Sequence, residues 1–238
     1  MIGKIENCLI KILAASLSLF ALYTALFGVF PASIQRTVHL MLTVMLGLLL
    51  PGAAGTKEMG ANKILINLVC FVLSFVVFGY FVKRQDILSN WIPFVSQFGQ
   101  GDFIICVIAT SLLLVVGRRF TGNALPIIAV IFMIYGRWGS FLPGFLQHAN
   151  FSWERVMEIF FFGFDGVFGI PIGISATIIS VFIMFGCFFE LGGGGEALMD
   201  IGKYIAGQTR GGPAKIAVIG SALMGTISGS AVANVYAT

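Results

Sequence analysis

Charge is what this chain has least of. Its 238 residues include 14 Lys and Arg and 10 Asp and Glu, 10% of the total, where soluble globular proteins average about 25%. So few ionised groups cannot cover a water-facing surface, which excludes a soluble domain. Basic residues never run beyond two together (Lys83-Arg84 and Arg118-Arg119), too sparse to track a phosphate backbone, so no nucleic-acid partner is expected. Histidine occurs at His39 and His148 alone, with no HExxH and no further metal ligand beside either, so both read as satisfied or interfacial side chains. The cysteines Cys8, Cys70, Cys106 and Cys187 lie in apolar runs without a CxxC spacing, indicating neither a disulfide framework nor a zinc site. Acids are missing from the apolar runs except at their ends. Membrane catalysis is left without a base, and neither a catalytic residue nor a cofactor is expected.

What remains is apolar: 58% of the residues are hydrophobic and the mean hydropathy is +0.99. This is the composition of an all-α integral membrane protein, and a crossing needs about 20 apolar residues in a helix. The uncharged stretches predict six crossings, at residues 12–35, 37–56, 64–82, 103–117, 120–136 and 167–189. The first has no small-residue cleavage site after it and reads as a retained helix, not a signal peptide. Residues 85–101, with Trp91 and Pro93, suit the membrane–water interface. Residues 151–166 differ in kind. Trp153, Val156, Met157, Phe160, Phe161 and Phe164 recur at helical spacing with Glu154, Arg155, Glu158 and Asp165 largely between them, the pattern of an amphipathic helix lying along the interface. The glycine run 192–195 lacks both a GK[ST] ending and a preceding buried strand, so it reads as a flexible hinge at a membrane exit and not as a phosphate loop.

Six crossings put the N-terminus and the glycine run on one side. With the N-terminus inside, the cytoplasmic pool of basic residues is Lys4, Lys11, Lys57, Lys63, Arg118, Arg119, Lys203, Arg210 and Lys215, against Arg36, Lys83, Arg84, Arg137 and Arg155 outside. Nine against five predicts a cytoplasmic N-terminus by the positive-inside rule.

Residues 216–238 are uncharged and long enough for a seventh helix, but the second half is unusual: Gly225, Thr226, Ser228, Gly229, Ser230 and Asn234 crowd small and hydroxyl-bearing groups into mid-run. Two readings are open. One is a helix broken inside the membrane, tolerated where it lines a protein cavity and able to hold ions on freed carbonyls and hydroxyls. The other is a small-residue seam on which helices pack closely.

The run Arg210-Gly211-Gly212-Pro213-Ala214-Lys215, followed by Ser221 through Val235, resembles the first re-entrant hairpin of the large permease subunit of TRAP transporters. It is most similar to the TAXI branch, in which the small and large membrane subunits are fused. Leu142-Pro143-Gly144, Phe151 through Arg155, Gly169 through Thr177 and Phe185 through Glu196 are similar to the same permeases. The resemblance implies three parts: a small-subunit-like (DctQ-like) four-helix region with a connecting helix at 1–136, an external loop and interfacial helix at 137–166, and the start of the large-subunit (DctM-like) transport region at 167–238. It further implies a multi-pass permease of a bacterial or archaeal plasma membrane. Such a permease imports organic anions such as C4-dicarboxylates, with sodium as coupling ion, after hand-over by an extracytoplasmic substrate-binding protein. Thr226, Ser228, Gly229, Ser230 and Asn234 then become substrate- and ion-binding residues, with sodium at Ser228, Gly229 and Ser230. Because the family's large subunit continues past a first hairpin, the resemblance also makes this chain an N-terminal fragment or truncated product. The alternative is a non-transporting membrane scaffold or assembly subunit.

Overall fold

A chain in lipid must satisfy its backbone hydrogen bonds within each segment, and the regular structure among the described residues is helical throughout. The computed structural model describes residues 2–50, 61–93, 95–206 and 211–228, with side chains over 7–50, 67–93, 95–206 and 211–226. Among the described residues, five helices are long and apolar enough to cross a membrane, over Asn7–Phe27, Ala32–Leu49, Gln100–Thr121, Ala124–Phe141 and Ile170–Leu191, and Asn67–Lys83 is a shorter apolar helix. The protein is thus an all-α membrane protein. Some hydroxyls inside these helices bond back to their own preceding turn, as Ser74 Oγ does to Cys70 O (2.8 Å) and Thr110 Oγ1 to Cys106 O (2.9 Å), which satisfies them within the helix.

The chain divides into two compact units, Met1–Thr177 and Ile178–Thr238. The first contains α1 (Ile2–Phe27), α2 (Ala32–Leu49), α3 (Ala61–Lys83), α4 (Gln85–Ser89), α5 (Gln100–Thr121), α6 (Ala124–Trp138), α7 (Trp153–Phe161) and α8 (Ile170–Ile174). α2 is its central helix. Within the unit, 61% of the α2 span is buried, against 17% for α1 and for α5 and 6% for α6. The helix surrounded by protein is also the one that carries Ser33, Gln35, Thr37 and His39 as buried polar residues, because contacts inside a bundle tolerate polarity that lipid does not. Around it, Leu40, Val44 and Leu48 of α2 meet Val77, Phe78 and Phe81 of α3, Cys106, Ala109 and Leu112 of α5, and Met157 and Phe161 of α7. The Phe81 ring stacks on Phe161 (5.7 Å between centroids) and takes Phe168 edge-on (5.3 Å).

Several span boundaries differ from the sequence reading; the fifth span starts at Ala124, since Phe120 and Thr121 still belong to α5. The first span does not run through Pro31. α1 ends at Phe27, Gly28 turns the chain at φ 102°, and Pro31 stands at the N-cap of α2, where a missing N–H costs nothing. The second span accordingly moves from 37–56 back to Ala32–Leu49, bringing Ser33, Gln35 and Arg36 into the helix that carries His39. The fourth lengthens to Gln100–Thr121, with Asp102 in its first turn and Arg118 and Arg119 in its last, an arrangement that complements the helix dipole.

The amphipathic segment forms a shorter helix than the one predicted over 151–166. α7 ends at Phe161, and Gly163 has φ 103°. Its apolar side is taken up by protein: Val156, Met157 and Phe161 are buried among neighbouring helices. Glu158, also buried, accepts from Trp91 Nε1 (3.1 Å) and pairs with Arg155. Trp91 and Phe98 from the aromatic stretch pack on Phe162, with centroids at 4.5 and 5.2 Å.

The second unit contains α9 (Ser180–Leu191), α10 (Gly194–Ala206) and α11 (Gly212–Ser228). The glycine run between α9 and α10 is a tight junction: Gly192 caps α9, and Gly194 and Gly195 already belong to α10.

Candidate functional site

The described start of the segment singled out by its small and hydroxyl residues, Gly225 to Ser228, lies on the second arm of an antiparallel helical pair. α11 opens after Gly211, with Pro213 in its first turn, a position suited to a residue lacking an N–H. α10 and α11 pack closely because glycines stand where they meet: a Cβ on Gly202 would lie 3.5 Å from the Ile216 carbonyl oxygen and 3.6 Å from the Gly220 nitrogen. Gly202 and Met224 are buried between the arms. The helix passes through Gly225 unbroken and continues to Ser228. Thr226 is exposed in the last turns, its hydroxyl donating to Leu223 O at 2.6 Å. Ser228 is the last described residue of the helix. Gly229, Ser230 and Asn234, the rest of the predicted binding set, lie outside the described residues.

A second polar constellation lies in the first unit, where α2 faces the start of the last apolar helix. After α8, residues Ser175–Ile179 form a π-helical turn. Such turns leave carbonyls outside the regular ladder and are frequent at functional sites. Gln35 Nε2 donates to Ala176 O at 3.0 Å, and His39 Nε2 lies 3.1 Å from Ser175 Oγ. Gln35 and His39 are one helical turn apart and so share a face of α2. Beside them Arg36 Nη1 donates to Phe168 O at 2.6 Å, and its guanidinium sits over the Phe164 ring at 4.9 Å. Gln35 Oε1, Thr37 Oγ1 and His39 Nδ1 are buried with no hydrogen-bond partner among the described residues. Among the described residues, no three His, Cys, Asp or Glu side chains come together as a metal centre would require.

A family model described as tripartite ATP-independent periplasmic transporter, DctM component, matches residues 107–238, over half of the chain. The chain belongs to this family. No curated protein and no solved structure gives a significant match. The DctM match begins inside α5 and takes in α6, α7, α8, the π-helical turn and the whole α9–α11 unit. Both halves of the α10–α11 pair are therefore DctM sequence. The polar seam straddles the edge of the match: Phe168, Ser175 and Ala176 lie within it, whereas Gln35, Arg36 and His39 come from α2 upstream.

Sequence reading missed this seam because it put Arg36 between spans and took His39 as a satisfied or interfacial side chain. The signal was present in the polar triplet Gln35-Arg36-Thr37 with His39 four residues after Gln35. Once Pro31 is taken as a helix start, the spacing puts Gln35 and His39 on one face.

Proposed function

We propose that this DctM-family chain is a permease component of a sodium-driven TRAP transporter. It imports small organic anions, C4-dicarboxylates or related carboxylates, handed over by an extracytoplasmic substrate-binding protein. The match over residues 107–238 carries the reading, because it includes the α10–α11 pair in which the hydroxyl-rich run begins. In this reading residues 1–136 are a fused small-subunit-like region of the TAXI kind, 137–166 form the external loop, and 167–238 begin the transport region. Ser228, Ser230 and Asn234 offer neutral oxygens, which suit a hard monovalent cation without burying a carboxylate. Gly229 allows the backbone to open toward the ion, and helix N-termini beside such a break favour a substrate carboxylate.

The test is uptake in proteoliposomes by the complete transporter containing this chain. Gly229→Leu should abolish uptake while leaving membrane insertion intact, and Ser230→Ala should weaken the sodium dependence. Unchanged sodium response in both variants would place the coupling site elsewhere. We further propose a cytoplasmic N-terminus in a bacterial or archaeal plasma membrane, on the nine-to-five division of basic residues. In oriented vesicles, single cysteines at Gln147 and Lys203 should label from outside and inside respectively; the opposite pattern reverses the topology.

A further inference from the structure

Where α1 ends and α2 begins, a groove of about 320 Å³ opens between the turn at Val29–Phe30, the first turns of α2 and α8. Its walls are mostly apolar, and its one charge is Arg36. That charge is poorly compensated. Among the described residues no carboxylate pairs with Arg36, and it stands in the N-terminal, positive part of α2, the end at which a helix dipole disfavours a cation. A guanidinium has five N–H donors, and among the described residues only the Nη1 bond to Phe168 O is made. The Phe164 ring and that carbonyl fix its plane. Gly173 leaves it room, since a Cβ there would lie 3.0 Å from Arg36 Nε. The α2 N-terminus, which opens on the same groove through Ala32, has no side-chain cap, so its first amides lack an intrahelical or side-chain acceptor.

Beside this groove lies a second one, about 530 Å³, along the outer side of α1 from Leu19 to Phe27. It is lined by apolar and aromatic side chains only, and Phe30 lines both. Phe30 is held there by stacking on Phe20 and Tyr23, with centroids at 5.8 and 5.5 Å. A cationic pocket thus adjoins an apolar trough that runs about 12 Å along a membrane-spanning helix at 1.5 Å per residue. The chain turns between two spans here, which is the headgroup level of the bilayer. An anion attached to a hydrocarbon chain matches both halves; a soluble anion would leave the trough empty, and a neutral lipid would leave the arginine unmatched.

We infer that this is a phospholipid site, with the phosphate on Arg36 and the α2 amides and one acyl chain in the Leu19–Phe27 trough. The inference does not depend on the transport reading. It is tested by native mass spectrometry of the full chain released from detergent with added lipids. A phospholipid should be retained about tenfold more strongly than diacylglycerol of the same chains, because the charge-assisted bonds need the phosphate. Arg36→Gln should erase that preference and Arg36→Lys should keep part of it. Because Arg36 also holds Phe168, Ile174→Trp provides a second variant: it fills the groove from the α8 side with Arg36 itself unchanged, and should remove the lipid while circular dichroism and elution volume stay unchanged. Equal retention of phospholipid and diacylglycerol, or undiminished binding in a folded Ile174→Trp variant, would overturn the site. Displacement of the lipid by glycerophosphate alone at matching concentration would likewise overturn it, by making the groove a site for soluble phosphates.

Discussion

Arg119 on α5 donates to the carbonyl of Leu48 in the last turn of α2, at 2.5 Å. The same guanidinium reaches Gly47 O at 3.3 Å and Asn67 Oδ1 at 2.6 Å. The last carbonyls of a helix have no partner within it, and a cation is favoured at that end by the dipole. One side chain therefore closes α2 and ties it to α3 and α5. Replacing Arg119 with Met should lower stability in detergent by about 1–3 kcal/mol, the cost of leaving buried acceptors unmet; Lys should recover part of it. Denaturant titration followed by tryptophan fluorescence measures both, and a loss below about 0.5 kcal/mol would mean that water replaces the cap.

Asp102, buried at the start of α5, has an accounted-for carboxylate: Oδ1 takes the Tyr80 hydroxyl and Arg84 Nη1 (2.5 Å), while Oδ2 takes the Gly99 amide (2.9 Å). Arg84 is 37% exposed and can hydrate when its partner is removed. Asp102→Ala should cost about 1.5–3 kcal/mol, the range for hydrogen bonds to a charged group, and Asp102→Asn less, because the amide still accepts from Gly99. Equal losses in the two variants would show that the charge alone matters.

The start of α7 should respond to pH. Ser152 caps the helix by accepting from the Arg155 amide at 3.2 Å. The carboxyl of Glu154 is held below its ordinary value by its own backbone amide and then by the Ser152 hydroxyl. A carboxylate depressed on folding adds stability above its unfolded pKa and loses it as pH falls through the folded value, so α7 should fray in acid. Ser152→Ala should cost about 1 kcal/mol and move the Glu154 titration upward, as read by carboxyl ¹³C shifts in micelles. An unmoved titration would remove Ser152 from the cause.

The close approach of α10 and α11 rests on Gly202, whose Cβ position already touches the facing backbone. Ala should be tolerated there, since its methyl carbon sits at ordinary contact distance. Val or Leu should force the arms apart. In the complete transporter, Gly202→Leu should insert normally yet lose most uptake, and cross-linking between cysteines placed at Ala206 and Pro213 should fall with it. Normal uptake by the Leu variant would show that the arms need not pack this closely.

The membrane class, the apolar helices, the amphipathic segment and the family were legible in the sequence, because lipid imposes composition and periodicity on each helix separately. Residues 142–238 carried the resemblance for a local reason too: Pro213, Gly211 and the glycines before α10 act on their own turns. Pairings between distant segments were not legible. That Pro31 starts a helix and does not end one was settled when α2 became the buried centre of its unit. Only then did Gln35, Arg36 and His39 meet Ala176, Phe168 and Ser175, some 130 to 140 residues away. Likewise, α7 could be read as amphipathic from its spacing, but only packing decided that Met157 and Phe161 face protein. Hydropathy reports how much each residue would gain by leaving water; it is silent on whether lipid or another helix receives it, and that choice belongs to the tertiary structure.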